Sequence, residues 1–471
     1  MRIPLLVLFL AATLFHSPRL SGQTTESSVV VSGDLDAESQ KIFERARMEY
    51  GRRNYLDAYT DFRKVADLAP QTKGIWTAVA LVEQHLGRMD QSVRDFYRAI
   101  QADPSDAQAH AELGATLLSL GKPDPAAAEF RQAEELDPQN HRAHYLLGWY
   151  LAQVKKDYVQ AVPEFEKALA TEDDSFNDAA QLHHFLSEAY FHAKQADKGA
   201  EMLKLSVKDN PDAFTLNNAA YSLADNNAEL DLARQYADSA LKDTYERLNK
   251  LQSDSIRRED LAAVHLLNLT WDTLGWIYYR NGDLHMAEKY LHAAWNLGQS
   301  RETSLHLAEV YEKQGRMPEA KKFYAITARP LIMQTSGPVD PGRARLTKLL
   351  GPQRAEQLIH QESSTATLER TVHLGKIAPP GSKGELFFIF APGPKLIAIN
   401  PVGTDGYLVS PLMKLQAKIA ASILFPEAAP EKLVRQGLIY CSKYGQGCDL
   451  LFYTSDVPAN VGSLGAGAFR Q

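Results

Sequence analysis

The chain has 471 residues, 45% hydrophobic and 23% charged, and a formal net charge of −7. This composition is normal for a folded protein, but the length exceeds what one compact hydrophobic core usually organises. A mildly acidic chain lacks the basic footprint that nucleic-acid binding requires, so DNA and RNA are not expected partners.

The N-terminus is predicted to be an export signal over residues 1–22. Arg2 supplies a positive charge, residues 3–15 are mostly apolar, and Gly22 stands before a plausible cleavage point. This stretch is too short to span a membrane and has the form of a secretory signal, with an uncleaved amphipathic N-terminus as the alternative. No later segment reaches the ~18 consecutive apolar residues of a spanning helix. We therefore expect an exported protein with no transmembrane span in the mature chain.

After a Ser-, Thr- and Gly-rich lead-in over residues 23–36, a period of 34 residues dominates the chain. Its clearest landmarks are Gly114 and Gly148, the series Pro70, Pro104 and Pro138, and the stretch W-x-x-L-G-W-x-Y-Y at residues 271–279. This pattern resembles the tetratricopeptide repeat, in which each unit is a helical hairpin that buries its apolar face by stacking on its neighbours. The resemblance implies a mostly α-helical solenoid of about eight helical hairpins over residues 37–334.

Positions of the repeat have separate packing roles. Helices approach at ~8–10 Å where Gly or Ala stands. The space beside these crossings is filled by Phe62, Phe96, Phe130 and Phe165. One slot near the start of each unit holds either Trp or His, as in Trp76, His110, His144 and His183. A slot that accepts both is a packing slot, so we interpret these histidines as structural.

The period is disturbed at three places. One extra residue near 155–157 shifts the later landmarks of the fourth unit. Residues 242–267 are a charged insertion that we interpret as an extension of one helix plus a second short one. Residues 335–367 are expected to form a linker and a single capping helix over 343–361.

The pattern changes to short β-rich runs in residues 368–456. The runs are 371–377, 386–391, 395–402, Leu433–Cys441 and 448–454. A helix that starts at Ser410-Pro411 separates the third run from the fourth. These elements predict a small α+β domain, and the Gly- and Ala-rich residues 457–471 are expected to be a disordered tail.

The only two cysteines, Cys441 and Cys448, frame a turn between the last two β-rich runs. After export, a disulfide is favoured over a C-x₆-C metal half-site, which lacks further cysteines. The stretch Arg435-x-Gly437-x-Ile439-x-Cys441 looks like a small module found behind repeats in exported bacterial proteins. That resemblance implies a bacterial protein of the periplasm or the cell surface.

No catalytic signature is present, because neither G-x-S-x-G nor H-E-x-x-H occurs. We expect no enzyme, no cofactor and no small-molecule substrate. His184, Glu188 and His192 follow at i, i+4 and i+8, where two neighbours could share a metal ion. All three could not, because i and i+8 lie ~12 Å apart along a helix. We expect a polar groove wall and no metal, with a metal-binding or enzymatic site near His184 as an alternative.

The repeat family binds ligands on the concave face of the stack, and the resemblance implies which residues line it. The expected groove residues are Arg142, Tyr145, Trp149, His184, Glu188, His192, Asn218, Trp276, Tyr279 and Arg280. Aromatic and arginine side chains are the usual anchors of protein recognition. Packing of some of these aromatic rings against the insertion or the C-terminal domain is the alternative.

We therefore expect an exported scaffold that binds a protein or peptide in its concave groove during the assembly of cell-envelope protein complexes. The ligand could lie there as an extended strand or as a helix. A second hypothesis makes the solenoid a spacer and the C-terminal α+β domain the docking module.

Overall fold

The computed structural model describes residues 35–171, 179–252, 256–328, 340–362, 364–402, 405–426, 430–444 and 446–454. The predicted export signal over 1–22, most of the lead-in and the predicted tail over 457–471 lie outside the described residues. The chain divides into two compact units, the first ending at Asp209 and the second beginning at Asn210. None of the described helices combines the length and the apolar character needed to cross a membrane.

The first unit consists of five helical hairpins. Their helices are α1 Ala37–Gly51, α2 Tyr55–Leu68, α3 Ile75–His85, α4 Met89–Ala102, α5 Ala107–Ser119, α6 Pro123–Leu136, α7 His141–Trp149, α8 Tyr158–Ala170, α9 Ala179–His192 and α10 Ala196–Asp209. Asp106 and Asn140 cap α5 and α7 by accepting backbone N–H groups of the first turn. The chain folds locally this way because each cap stands directly before an apolar helical pattern.

Glycines at the helix crossings let the aromatic row close the core. A Cβ atom on Gly114 would lie 2.4 Å from Cε1 of Phe130, and one on Gly148 would lie 2.8 Å from Cδ1 of Phe165. Both phenylalanine rings are fully buried. Any larger side chain at the glycines would push these rings out of place, so the predicted packing roles are confirmed.

The shared slot for Trp and His has a common hydrogen bond. Nε1 of Trp76 donates to the carbonyl of Pro70 at 2.9 Å, and Nε2 of His144 lies 3.0 Å from the carbonyl of Pro138. In both cases a ring N–H reaches the closing proline of the preceding repeat. The slot therefore selects a flat ring with a donor nitrogen, which both residue types provide.

The extra residue of the fourth repeat lies in a π-helical turn, Tyr150–Lys155, that continues α7. Lys156 ends the turn in the left-handed region with φ of 56°. Such single-turn insertions change the direction of the side chains that follow and are frequent at functional sites. Here the turn brings Gln153 to α9, where its amide donates to Glu188 at 2.8 Å.

The second unit begins with three more hairpins and ends with three short helices and a sheet. Its helices are α11 Ala213–Asp225, α12 Leu230–Asn249, α13 Leu261–Arg280, α14 Leu284–Gly298, α15 Arg301–Lys313, α16 Met317–Thr327, α17 Pro341–Leu350, α18 Pro352–Gln361 and α19 Thr365–Glu369. The insertion lengthens both α12 and α13, with a 3₁₀ turn at Arg258–Asp260, so the separate short helix predicted there is wrong. The single capping helix predicted over 343–361 is also wrong, because Gly351 at φ 80° precedes Pro352 and divides it.

Five antiparallel strands form one sheet in the order β1-β5-β4-β2-β3. The strands are β1 Thr371–Gly375, β2 Lys383–Ala391, β3 Lys395–Pro401, β4 Leu433–Cys441 and β5 Cys448–Phe452. Two short helices, α20 Val409–Met413 and α21 Gln416–Ala420, replace the single helix predicted from Ser410. The predicted disulfide joins Cys441 and Cys448, which face each other across β4 and β5.

Segments that flank the sheet contact the helical part of their own unit. Nζ of Lys432 donates to the carbonyl of Leu251 at 2.7 Å, and the amide of Asn296 donates to the carbonyl of Ser422 at 2.8 Å. Nε1 of Trp295 donates to Glu369 at 2.7 Å. The predicted fold class, a mostly α-helical solenoid of about eight hairpins followed by a small α+β domain, is confirmed.

Candidate functional site

Six of the predicted groove residues lie in the first unit of the chain. They belong to the first helix of the fourth repeat and the first helix of the fifth repeat. Helix α7 contributes Arg142, Tyr145 and Trp149, and α9 contributes His184, Glu188 and His192. Arg142 and His192 are exposed, His184 and Glu188 are half-buried, and Tyr145 and Trp149 are 7% and 8% exposed. These six residues and Gln153, which links the two helices, are called the α7–α9 patch.

The centre of the α7–α9 patch holds polar atoms without partners. Glu188 accepts Gln153 on Oε2, but Oε1 is buried and has no hydrogen-bond partner among the described residues. Nε1 of Trp149, four residues before Gln153 on α7, is likewise buried without an acceptor among them. Burial raises the pKa of the Glu188 carboxyl above its usual range and lowers that of the nearby Lys156. The patch thus holds a buried donor and a buried acceptor, each without a hydrogen-bond partner among the described residues.

An ion pair and a stacked pair of rings hold the side chains at the edges of the α7–α9 patch. The guanidinium of Arg142 binds Glu112 through Nε at 2.6 Å and Nη2 at 3.2 Å, a bidentate arrangement that holds the arginine in one orientation. His192 stacks on Tyr158 with ring centroids 3.9 Å apart. Burial lowers the pKa of His184 to about 4, so its ring is neutral at physiological pH. Aromatic and neutral surfaces therefore frame the polar centre.

Among the described residues, three side chains away from the α7–α9 patch could together ligate a metal ion. They are Glu134, His144 and Glu164, whose ligand atoms come within 4.8 Å of one another. Nζ of Lys167 binds both carboxylates, at 2.7 Å from Glu134 and 3.1 Å from Glu164. Nδ1 of His144 lies 2.9 Å from Glu164, and this hydrogen bond raises the pKa of the ring. Lys167 bridges the two acids and His144 contacts one of them, so the arrangement forms an ion-pair network within the first unit.

The predicted anchor Trp276 in the second unit requires a correction, because it is 0% exposed. Its ring is stacked between Tyr279, with centroids 4.7 Å apart, and His306, at 4.2 Å. Nη2 of Arg280 donates to the carbonyl of Asp225 at 3.0 Å, and its guanidinium lies over the Trp276 ring. Asn218, Tyr279 and Arg280 are half-buried. Trp276 is a core residue and does not present its ring to a ligand.

A buried polar network covers Trp276. Nδ1 of His306 lies 3.0 Å from Asp272, and the hydroxyl of Tyr221 donates to Glu302. Burial raises the pKa of Glu302, whereas burial of His306 is outweighed by Asp272, which raises the pKa of the imidazole. Sequence reasoning missed Glu302 and His306. The available signal was the spacing of 34 residues between Asp272 and His306.

Tyr279 also borders a cavity of about 440 Å³ in the second unit. Nζ of Lys313 lies 4.8 Å from the centroid of the Tyr279 ring. On the other side, Nε of Arg345 binds Glu312 at 3.0 Å, and the hydroxyl of Tyr324 donates to the same carboxylate at 2.6 Å. Glu312 is therefore satisfied within the chain, and Tyr279 is the predicted groove residue of this unit that borders open space.

Residues 43–107 and 112–178 match the family model of the tetratricopeptide repeat, over hairpins whose packing has the spacing of that repeat. These matched residues, 132 of the 471, are tetratricopeptide repeats by this comparison. The sequence has no significant match among curated proteins. The tetratricopeptide repeat family typically consists of non-enzymatic scaffolds for protein interaction.

Several solved tetratricopeptide repeat structures are similar to part of the chain. A thermophilic repeat protein of Thermus thermophilus has 18% identity, covers 43% of this chain and 99% of its own, and gives a TM-score of 0.32. The C-terminal part of a repeat protein from Cytophaga hutchinsonii has 17% identity, with 54% and 94% covered and a TM-score of 0.38. YrrB, a repeat protein with an unusual peptide-binding site, has 17% identity, with 38% and 91% covered and a TM-score of 0.33. These likenesses concern the repeat fold alone.

Proposed function

We propose that this protein is an exported scaffold that binds an extended protein segment on the α7–α9 patch during the assembly of cell-envelope protein complexes. The observation that carries the proposal is the pair of buried, unpartnered atoms among the described residues, Nε1 of Trp149 and Oε1 of Glu188. A buried polar atom without a hydrogen bond costs about 1–3 kcal/mol. An extended backbone offers a carbonyl to the first atom and an N–H to the second.

The surroundings of this pair favour a backbone ligand over a charged one. Burial raises the pKa of Glu188, and the carboxylate of Glu112 already binds Arg142. The rings of Tyr145 and Trp149 supply a flat apolar floor with little side-chain entropy to lose. Main-chain hydrogen bonds would provide affinity, and side-chain contacts with His184 and His192 would provide selectivity.

Export rests on the signal-like residues 1–22 and is supported by the Cys441–Cys448 disulfide, since such bonds persist in oxidising compartments. Fractionation of the cells followed by N-terminal sequencing of the envelope-associated protein tests it. We expect a mature chain that begins near Gln23. Full-length protein recovered from the cytoplasm would contradict export while leaving the proposed binding surface untouched.

Site-specific photo-crosslinking tests the binding surface directly. A photoreactive residue is placed at Arg142 or His192, which are exposed at the edge of the α7–α9 patch, and at Val159 as the matched control. Val159 lies on α8 of the same hairpin stack and is 75% exposed. We expect a discrete crosslinked partner from the two patch positions and none from Val159. Equal crosslinking from all three positions would contradict the proposal.

The same crosslinking method distinguishes binding at the α7–α9 patch from docking through the C-terminal α+β domain. Ile397 on the edge strand β3 is exposed and offers a crosslinking position on the sheet. Crosslinks from Ile397 alone would transfer the interaction to the α+β domain. We expect the patch positions to dominate, because the sheet already uses Lys432 and its neighbourhood to contact helices of its own unit.

A further inference from the structure

Arg435 on β4 is a buried charge, with only 3% of the residue exposed. The strand register places it opposite Phe388, on the same sheet face as Gly437 and Phe452. Its guanidinium lies 4.5 Å from the centroid of the Phe452 ring. Its acceptors are neutral oxygens at long range, Oδ1 of Asn296 and the carbonyl of Tyr453, both at 3.4 Å.

A second arginine, Arg370, stands directly before β1, the strand that pairs with β5. Arg370 pairs with Phe452 in the ladder that continues β1, because the N–H of Phe452 donates to the carbonyl of Arg370. Nη1 of Arg370 donates back to the Phe452 carbonyl at 3.3 Å. Nε of Arg370 is buried without a hydrogen-bond partner among the described residues. Two guanidinium groups therefore converge on the end of β5, where they contact the successive carbonyls of Phe452 and Tyr453.

No carboxylate of the described chain binds either guanidinium. Glu369 is next to Arg370 in sequence but binds Nζ of Lys322 at 2.8 Å and Nε1 of Trp295 at 2.7 Å. Glu385 binds Arg258 and Gln436, and its register places it on the opposite face of the sheet from Phe388. The pKa of Arg435 falls to about 9 through burial and the nearby charge of Arg370.

A buried cation and a half-buried one, without an anion among the described residues, are unfavourable. Moving one charge from water into a protein interior costs several kcal/mol unless a counter-ion and good hydrogen bonds compensate. Two neutral oxygens at 3.4 Å and one aromatic face provide weak compensation. Arginine is the residue type whose planar fork matches the two oxygens of a carboxylate or phosphate.

We propose that Arg370 and Arg435 form a binding site for one oxyanion, a carboxylate or a phosphate, on the helix-facing side of the sheet. The shared chemistry has two possible sources. One is Asp456, which follows Tyr453 by three positions in sequence and lies outside the described residues. The other is a separate small anion. The half-buried Arg370 provides the accessible side of the site, and Arg435 its buried end.

Thermal unfolding of the full-length protein tests the site. The melting temperature is measured in sodium chloride, sodium acetate and sodium phosphate at equal pH and ionic strength, for the natural chain and for Arg370→Gln, Arg435→Gln and Arg354→Gln. Arg354 is an exposed arginine on α18 and serves as the control. If a separate anion binds, acetate or phosphate should raise Tm by about 2–4 °C in the natural chain and in Arg354→Gln. Neither Arg370→Gln nor Arg435→Gln should respond.

The variant Asp456→Asn distinguishes the two sources. If Asp456 occupies the site, the natural chain should not respond to added anion, whereas Asp456→Asn should melt lower and regain stability in acetate or phosphate. Should Arg435→Gln fail to fold, the half-exposed Arg370→Gln gives the same comparison. The proposal is overturned if neither the natural chain nor Asp456→Asn responds to either anion. It is also overturned if the Arg370→Gln chain responds as strongly as the Arg354→Gln control.

Discussion

A tryptophan stands at the same repeat position in each of the two units, but the two rings differ in how they are covered. Trp149 and Trp276 both stand at position nine of their repeats in the 34-residue frame. Trp149 is 8% exposed, and Arg142 and His192 of the same patch are exposed. The ring of Trp276 is instead stacked between Tyr279 and His306 and is 0% exposed. Repeat position sets the direction of a side chain, but not whether solvent can reach it.

The difference comes from one residue of the following repeat. At position six, the first unit has Phe185, which turns towards the core and lies near Tyr145 and Phe165, with ring centroids 6.3 Å from each. The second unit has His306 at that position, and its ring covers Trp276 while Asp272 holds it in place. In this chain the His306 ring therefore stacks on Trp276, whereas Phe185 at the same position packs near Tyr145 and Phe165.

The largest expected effect on stability is the local unfolding of the first unit by a core substitution. Phe165→Ala removes a fully buried ring that packs against Gly148 and should cost about 3–5 kcal/mol of unfolding free energy. Hydrogen exchange followed by mass spectrometry should show faster exchange in α7 and α8 and unchanged exchange in the sheet. Phe452→Ala, which removes an equally buried ring from β5, should give the reverse pattern. Equal loss of protection in both units after either change would contradict the division into two compact units.

A smaller change should open the inner face of the second unit. Asp272→Asn keeps a hydrogen-bond acceptor for His306 but removes the charge that raises the pKa of its ring. The expected cost is about 1–3 kcal/mol of unfolding free energy. The Trp276 ring should become accessible, which acrylamide quenching of tryptophan fluorescence measures. Glu112→Gln, which weakens the pair of the buried Glu112 with Arg142 in the first unit, is the control and should leave Trp276 quenching unchanged.

The ion-pair network of the first unit should make its stability depend on pH. The hydrogen bond to Glu164 raises the folded-state pKa of His144 above the unfolded value of about 6.5. Such a histidine contributes stability that is complete below the unfolded pKa and is lost as the pH rises through the folded pKa. Urea unfolding from pH 5 to 9 should therefore show the natural chain's advantage over His144→Gln shrinking above pH 6.5. A constant difference across that window would contradict the network.

Much of the fold could be predicted because local spacing determines it. The 34-residue period fixed the hairpins, and the Gly148 and Phe165 contact followed from their offsets. The break at Gly351 was missed because helical residues continue on both sides of it, although the Gly-Pro pair was a signal. The burial of Trp276 was missed because His306 comes from another hairpin. The 34-residue spacing between Asp272 and His306 places them at the same position of adjacent repeats, but it does not show that the His306 ring covers Trp276. The exposed members of the α7–α9 patch stay a prediction as binding residues.

The smallest expected effect on stability separates binding from folding. Trp149→Phe removes an N–H that has no acceptor among the described residues, so its cost in unfolding free energy should be limited to the lost ring volume, which Trp295→Phe shares. Trp295→Phe is the matched change in the second unit, where Nε1 donates to Glu369 at 2.7 Å, and it should cost about 1.5–3 kcal/mol because it removes a hydrogen bond to a charged group. Partner crosslinking from His192 should fall in Trp149→Phe and persist in Trp295→Phe. The opposite ranking would mean that Trp149 serves the core and that the inner face of the first unit is as closed as that of the second.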